Sequence, residues 1–171
     1  MSLIKPADGD LIPGITLPDE FYWVLKTPAP LAGMKYPRPD FPWKKLAAVG
    51  FGRLVSLEPG AYTHVPLRRL FSKLLEDLHH GRDPKDPRRE QTLIAEAVEC
   101  VVTALRSGQG VVVHCAGGTG RTGTVIGCVL RRLGYNGAEI VSYLDGLHKA
   151  RGRRGWPESR WQQTVVDNFD V

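Results

Sequence analysis

The side chains best suited to catalysis lie in one short segment, which reads His-Cys-Ala-Gly-Gly-Thr-Gly-Arg-Thr-Gly-Thr from His114 to Thr124. Cys115 brings a nucleophilic sulfur, and Arg121 brings a planar guanidinium that matches two oxygens of one phosphate group. Three glycines between them allow a tight turn in which successive backbone N–H groups point at the same anion. This combination predicts attack of a thiolate on a phosphate group held in a loop.

Cys115 can act as a nucleophile only when its thiol is ionised. An unperturbed cysteine has a pKa of about 8.5 and is only a few per cent thiolate at neutral pH. Backbone amides, a helix N-terminus and a guanidinium around one sulfur lower that pKa into a range of about 3.5 to 7.5. A fall of about two units corresponds to about 2.7 kcal/mol of preference for the thiolate. We therefore expect a largely ionised Cys115.

A buried strand and a helix are expected to hold this loop. Residues 111–114 form a short apolar run after a glycine-containing turn, which is typical of a strand covered on both faces. A helix is predicted from Arg121 to Leu133, where Gly134 ends it. The N-terminus of that helix would add a partial positive charge to the anion site.

The rest of the chain predicts an α/β fold. Strands are expected at 21–25, 52–57 and 62–67. Helices are expected at 41–49 with Asp40 as its cap, at 67–78 on the spacing of its leucines, at 92–106, after the cap Asn136, and from about Pro157. Strands that alternate with helices favour three layers, α/β/α, around a central, mostly parallel sheet of about four to five strands.

Length and composition favour a single domain that spans residues 1–171. Residues 1–45 are rich in proline and aromatic side chains, which predicts an extended arm and edge strands packed on that domain. With 42% hydrophobic and 24% charged residues, the composition argues against disorder throughout, and the longest apolar runs are too short for a membrane span. Three cysteines and an N-terminus without an apolar leader favour a reducing, cytoplasmic setting.

The net charge of +5 favours anionic partners. Phosphate, nucleic acid and anionic lipid headgroups all meet that preference. Nucleic acid is less favoured than a phosphorylated protein or a small phosphorylated molecule. A monomer is the favoured state, although the sequence does not determine the oligomeric state.

The segment from Cys115 to Arg121 has the Cys-x5-Arg spacing of the cysteine-based protein tyrosine phosphatase superfamily, and the chain resembles that superfamily. His114 before the cysteine and Thr122-Gly123 after the arginine extend the match. Because the motif lies late in the chain, after the strands, it is similar to the dual-specificity branch. Weaker similarities lie at 31–37, at Asp83 with Pro87 and at 157–162. The resemblance implies a phosphatase with the fold of that branch that uses neither a metal nor a cofactor.

The resemblance also implies a role for each residue of the loop. Cys115 attacks phosphorus and holds a covalent thiophosphate, while Arg121 binds two non-bridging oxygens. The backbone N–H groups that bind the remaining oxygens are those of Ala116, Gly117, Gly118, Thr119, Gly120 and Arg121. The Thr122 hydroxyl is expected to hydrogen-bond the sulfur as it leaves, and His114 is expected to brace the loop.

This mechanism also needs an aspartate, on a loop upstream of the cysteine, that protonates the leaving oxygen. Asp83 is the first choice, since it lies in a proline-bounded loop 32 residues before Cys115. The pattern Asp83-x-x-x-Pro87 also resembles the acid loop of small dual-specificity enzymes. Asp86 is the alternative acid, and Asp77, on the helix predicted before this loop, comes third.

The same residues also fit other interpretations. Gly118-x-Gly120-x-x-Gly123 fits a dinucleotide-binding pattern with Asp145 about 20 residues further on. In that fold the acidic residue ends a second strand, whereas 136–149 shows helical spacing, which argues against it. A non-catalytic phosphate-binding module is the alternative from a different functional class. Cys100 and Cys128 are expected to be apolar core residues. Gln162 is expected either to position the hydrolytic water or to lie on the surface of its helix.

The substrate is the least determined feature. The loop lacks the lysines of the inositol-lipid phosphatases that it otherwise resembles, which favours a phosphoprotein, as for dual-specificity or tyrosine phosphatases, or a small phosphorylated metabolite. Four positively charged residues near the predicted acid loop would attract a polyanionic substrate: Arg82, Lys85, Arg88 and Arg89. A phosphoinositide, an inositol phosphate or an RNA 5′-phosphate is therefore the alternative substrate.

Overall fold

The computed structural model describes residues 2–170, in which strands and helices alternate along much of the chain. The strands are β1 (Phe21–Leu25), β2 (Leu31–Met34), β3 (Phe51–Ser56), β4 (Arg68–Ser72) and β5 (Gly110–His114). The helices are α1 (Trp43–Ala48), α2 (Pro87–Arg106), α3 (Gly120–Arg132), α4 (Gly137–Ala150) and α5 (Arg160–Asp167), with one 3-10 turn at Pro6–Asp8. The end residues of the predicted domain, Met1 and Val171, lie outside the described residues.

The five strands form one sheet in the order β1-β2-β5-β3-β4. Every neighbouring pair is parallel except β1 and β2, which are antiparallel. All five residues of β5 are buried at the centre of this sheet, as its apolar run predicts. The predicted α/β fold with a mostly parallel central sheet is confirmed.

Both faces of the sheet are covered, which gives the predicted three layers. On one face α2 and α3 pack against the strands, and α4 and α5 pack against α3. The opposite face is covered by α1 and by apolar residues of the N-terminal segment. Along β5, Val111 and Val113 belong to the first core and Val112 to the second. Each such buried valine or leucine stabilises the fold by about 1.5–3 kcal/mol.

No helix within residues 2–170 has both the length and the hydropathy that a membrane span requires. This finding agrees with the short apolar runs of the sequence.

The helix predicted at 67–78 is wrong. This stretch instead contains β4, which pairs in parallel with β3, and then a segment without regular secondary structure in which Leu75 and Leu78 are buried. Leu74 is 52% exposed, so the leucines do not line one helical face. Pairing with the edge of the sheet satisfies the backbone here and overrides the local spacing.

Three further details also differ from the prediction. The strand predicted at 62–67 is wrong, because these residues form turns and irregular backbone. Asp40 does not cap α1, which is preceded by Pro42, and instead forms an ion pair with Arg38. Helix α2 begins at Pro87, five residues before the predicted start, because Asp86 caps it.

The N-terminal region contributes two strands to the sheet, and one of them is internal. Strand β1 does lie at one edge of the sheet, but β2, which was not predicted, lies inside it between β1 and β5. Its last residue, Met34, is level with His114 at the end of β5. The N-terminal region therefore reaches the point where the loop with Cys115 begins.

Candidate active site

Three adjacent parallel strands end at the same point of the sheet. Met34, Ser56 and His114 are aligned at the ends of β2, β3 and β5. Cys115 follows directly, and with only 2% of its surface exposed it lies at the base of the loop rather than on its rim. Open α/β sheets bind ligands at this carboxyl end of their strands.

Carbonyl oxygens of the loop accept hydrogen bonds from residues outside the loop. The Ala116 oxygen accepts a hydrogen bond from the Tyr36 backbone N–H at 2.8 Å. The Gly118 oxygen accepts one from the Tyr22 hydroxyl at 2.7 Å. The Gly120 oxygen accepts two, from Thr124 Oγ1 at 2.8 Å and from Trp156 Nε1 at 3.3 Å.

The amide N–H groups of the loop are left available. Within residues 2–170, no protein group accepts a hydrogen bond from a backbone N–H of residues 116–121. A run of successive amides without protein acceptors is an anion site, and the start of α3 at Gly120 adds the positive end of a helix dipole. The loop therefore has the free amides that the predicted phosphate cradle requires, while its binding of phosphate stays a prediction.

One glycine is required by the turn itself. Gly118 has a φ of +71°, and a Cβ at this position would lie 2.6 Å from the backbone carbonyl of Met34. Any side chain would therefore push the loop away from the end of β2. The close approach of the loop to β2 depends on this residue.

The guanidinium of Arg121 faces two carboxylates. Its Nη1 donates to Glu58, which follows β3, and to the Leu75 oxygen at 3.2 Å, while Nη2 lies 3.5 Å from Asp77 Oδ2. Burial alone would lower the pKa of Arg121, but Cys115, Glu58 and Asp77 outweigh it and hold the pKa above its ordinary value. Arg121 is therefore a fixed positive charge next to the sulfur.

Asp77 lies on a segment that is anchored at several points. Its neighbours Leu75 and Leu78 are each 2% exposed. The backbone N–H of Glu76 donates to the buried Glu90 carboxylate at 3.1 Å, and the Glu76 carboxylate accepts the Lys85 N–H at 2.8 Å. The Asp77 side chain itself remains 46% exposed at the mouth of the site.

The other two candidate acids have different surroundings. Asp83 lies in the exposed loop before α2, and within residues 2–170 its side chain makes no hydrogen bond or ion pair to the loop around Cys115. Asp86 caps α2 by accepting the Arg89 N–H at 3.1 Å. The structure therefore brings Asp77 to Arg121, while the assignment of Asp83 stays a prediction.

The His114 ring connects the start of the loop to Tyr62. Its Nδ1 lies 3.1 Å from the Cys115 oxygen, and its Nε2 is hydrogen-bonded to the Tyr62 hydroxyl. Burial lowers the pKa of His114 to about 4, so the ring is neutral at physiological pH. A neutral ring with Nδ1 donating and Nε2 accepting satisfies both contacts.

The Thr122 hydroxyl is fully buried and has no hydrogen-bond partner among the described residues. Its predicted bond to the sulfur stays a prediction.

A comparison with family profiles matches residues 18–162 to "PTP-SAK: Swiss Army Knife protein, DSP-PTPase phosphatase domain". The match runs from before β1 into α5 and includes the whole loop. The chain belongs to this PTP-SAK family.

Individual proteins that resemble this chain also include phosphatases, although each shares only part of its sequence with the chain. "Putative tyrosine-protein phosphatase OCA1" from Scheffersomyces stipitis is 36% identical over 89 residues, which cover 52% of this chain but only 38% of that protein. The core catalytic domain of the PP-IP phosphatase SIW14 from S. cerevisiae has a TM-score of 0.56 at 17% identity, over 82% of this chain and 80% of that one. TpbA from P. aeruginosa has a TM-score of 0.58 at 16% identity, over 86% and 84%. These structural likenesses show the shared fold.

The loop of this PTP-SAK domain is also held by Arg151, a buried residue at the end of α4 that the sequence did not single out. Its guanidinium donates to the Gly117 oxygen at 3.1 Å and to the Gly118 oxygen at 3.0 Å. It also donates to the Pro18 oxygen at 2.9 Å and the Asp19 oxygen at 2.7 Å, before β1. Arg151 thus ties the N-terminal segment to the outer side of the loop.

We expect Arg151→Met to raise the inhibition constant of the PTP-SAK domain for orthophosphate about tenfold, because the loop carbonyls lose the donor that orients their peptide units. Arg151→Lys should recover part of this loss, since it keeps one donor. Competitive inhibition by orthophosphate and thermal unfolding measure the two effects separately. Arg132→Gln, which removes an ion pair to Glu99, is the matched control and should leave the inhibition constant unchanged. A lower melting temperature with an unchanged inhibition constant would assign Arg151 a structural role only.

The sequence predicts positions for three other residues of the PTP-SAK domain, and the water-positioning role of Gln162 stays a prediction. Cys128 is fully buried in the core and Cys100 is half-buried against it, as expected. Gln162 is not on the surface. It is 1% exposed, and its Oε1 accepts the backbone N–H of Ser159 in the capping box of α5.

Glu58 and Arg151 were missed for different reasons. Glu58 directly follows a predicted strand, and this position at the carboxyl end of a parallel strand is a signal that could have found it. Arg151 lies among other arginines near the end of a helix, where no spacing distinguishes it.

Proposed function

We propose that this PTP-SAK domain hydrolyses phosphate monoesters through a covalent cysteinyl-phosphate on Cys115. The observation that supports it best is the placement of Cys115 and Arg121 at the two ends of a loop whose amides have no protein acceptors within residues 2–170. Such preorganised donors stabilise the charge that develops on the phosphoryl oxygens.

In the first step the Cys115 sulfur attacks phosphorus, the S–P bond forms and the bond to the leaving oxygen breaks. We propose Asp77 as the acid that protonates this oxygen, because it is the aspartate in contact with Arg121. Arg121 and the loop amides hold the three non-bridging oxygens throughout the transfer. The products of this step are an alcohol or phenol and the cysteinyl-phosphate.

In the second step water attacks the phosphorus and the S–P bond breaks. Asp77, now a carboxylate, takes a proton from the water, so the cycle returns the acid to its starting state. Inorganic phosphate leaves, and the sulfur is again a thiolate.

The substrate is proposed as a phosphorylated protein or a small phosphorylated molecule. The relatives point in both directions, since one is named "Putative tyrosine-protein phosphatase OCA1" and another is the PP-IP phosphatase SIW14. A cytoplasmic location and a monomeric state stay predictions.

The test is a search for the covalent intermediate during hydrolysis of p-nitrophenyl phosphate. We expect the wild-type chain to release phosphate, and rapid acid quenching should trap one phosphoryl group on the peptide that contains Cys115, as detected by mass spectrometry. Binding of the ester without turnover or labelling would instead indicate a phosphate-binding module.

A further inference from the structure

A cleft adjoins the catalytic loop on the side of the α4–α5 connection. It has a volume of about 680 Å³ and shares Thr119 with the loop. Its walls include His79, Thr119, Asp145, Arg153, Arg154 and Glu158, and it is called the basic cleft below. The volume is within the range of small-molecule sites, which is about 300 to 1,000 Å³.

The cations of the basic cleft are available for a ligand. Arg154 is exposed and, among residues 2–170, forms no ion pair. Arg153 has one partner, Asp19 at 3.2 Å, in an exposed pair that contributes little to stability. Guanidinium groups bind phosphate oxygens in pairs, so these two arginines match a phosphate better than they match a neutral group.

Asp145, one of the two carboxylates that line the basic cleft, is paired within the protein. Asp145 is paired with Lys149 at 2.7 Å and accepts the Trp156 backbone N–H at 3.2 Å. Burial, reinforced by nearby Asp77, raises the pKa of Glu158 above its ordinary value. Asp145 therefore already has a cationic partner, whereas Arg154 forms no ion pair within residues 2–170.

The segment that carries these arginines is fixed to the catalytic loop. Arg151, immediately before it, holds Gly117 and Gly118, and Trp156, immediately after it, donates to the Gly120 oxygen. The Arg153 N–H donates to the His148 oxygen at 2.9 Å. A site held in place before binding loses less entropy when its ligand binds.

We propose that the basic cleft is a second anion site, which binds a further phosphate group of a compact, multiply phosphorylated small molecule whose reacting phosphate occupies the loop above Cys115. This rests on the function proposed above, since it names the substrate class of the same site. A cavity of small-molecule size beside the loop favours a compact polyanion over an acidic phosphopeptide.

The test measures binding to the Cys115→Ser chain by calorimetry, so it does not depend on turnover. The probes are inositol hexakisphosphate and inositol 1-phosphate, which share one ring and differ in the number of phosphates. We expect the hexakisphosphate to bind about 10- to 100-fold more tightly than the monophosphate. Adding Arg153→Gln and Arg154→Gln together should remove most of that difference.

The matched control is Lys44→Gln with Lys45→Gln in the same chain. This pair removes the same charge from two exposed residues of α1, on the opposite face of the sheet, and should leave the difference intact. Equal weakening by both double variants would indicate general charge attraction and overturn the proposal. So would equal affinity for the two probes, or a loss confined to an acidic phosphotyrosine peptide. Failure of the proposed function would appear separately, as wild-type chain that hydrolyses no ester.

Discussion

Cys115→Ser is expected to lower kcat for p-nitrophenyl phosphate by at least about 10⁴-fold, because the loss of a catalytic nucleophile removes the covalent route. A serine hydroxyl is far harder to ionise than a thiol, so the loop amides and Arg121 cannot convert it into an equivalent nucleophile. Initial rates of phosphate release, with the protein in large excess over any contaminating phosphatase, measure the effect.

The same variant should still bind orthophosphate, because the amides of residues 116–121 and Arg121 are unchanged. Cys128→Ser is the matched control, since Cys128 is also fully buried but lies in the middle of α3. It is expected to reduce stability while leaving kcat of the folded protein near the wild-type value. Residual turnover by Cys115→Ser at the wild-type rate would contradict the assignment of the nucleophile.

Asp77→Asn is expected to lower kcat for an alkyl phosphate by about 10²- to 10⁴-fold, because the poor leaving group then departs without a proton. The loss for p-nitrophenyl phosphate should be smaller, since nitrophenolate leaves more easily. The acid must be protonated to act, so the variant should also lose the fall in kcat at high pH that the wild type shows. Profiles of kcat against pH for both esters test this.

Asp83→Asn and Asp86→Asn are the comparison variants in the same assay. Asn caps a helix about as well as Asp, so Asp86→Asn preserves the start of α2 and isolates any catalytic effect. We expect both variants to keep most of the wild-type turnover on the alkyl phosphate. If Asp83→Asn shows the large loss and Asp77→Asn does not, Asp83 is the acid and its loop must move towards Cys115 during the reaction.

The sequence was sufficient to locate the loop and its supporting elements because those signals are local. About a dozen residues contain an apolar run, a cysteine, three glycines and an arginine. Each of these features indicates one structural element or role: a buried strand, a tight turn or an anion site. The strand before the loop and the helix after it lie within one residue of their predicted positions.

The surroundings of the loop could not be predicted in the same way because they depend on distant contacts. Leucines at 67–78 have helical spacing, yet pairing with β3 determines the backbone there. The wrong helix also placed Asp77 on a regular element, whereas it lies on a segment without regular secondary structure that is held by Glu90. No local pattern reveals that this segment lies beside Arg121, 44 residues further along the chain.

The double attachment of Arg151 has a consequence for where the functional unit begins. The same guanidinium that orients the loop also grips Pro18 and Asp19, ahead of the first strand. A chain cut back to Phe21 would keep all five strands and every residue of the Cys-x5-Arg signature. It would nevertheless lose two of the acceptors that hold the Arg151 guanidinium against the loop, and these acceptors belong to no strand or helix. We therefore expect such a truncation to loosen the phosphate loop while leaving its signature intact.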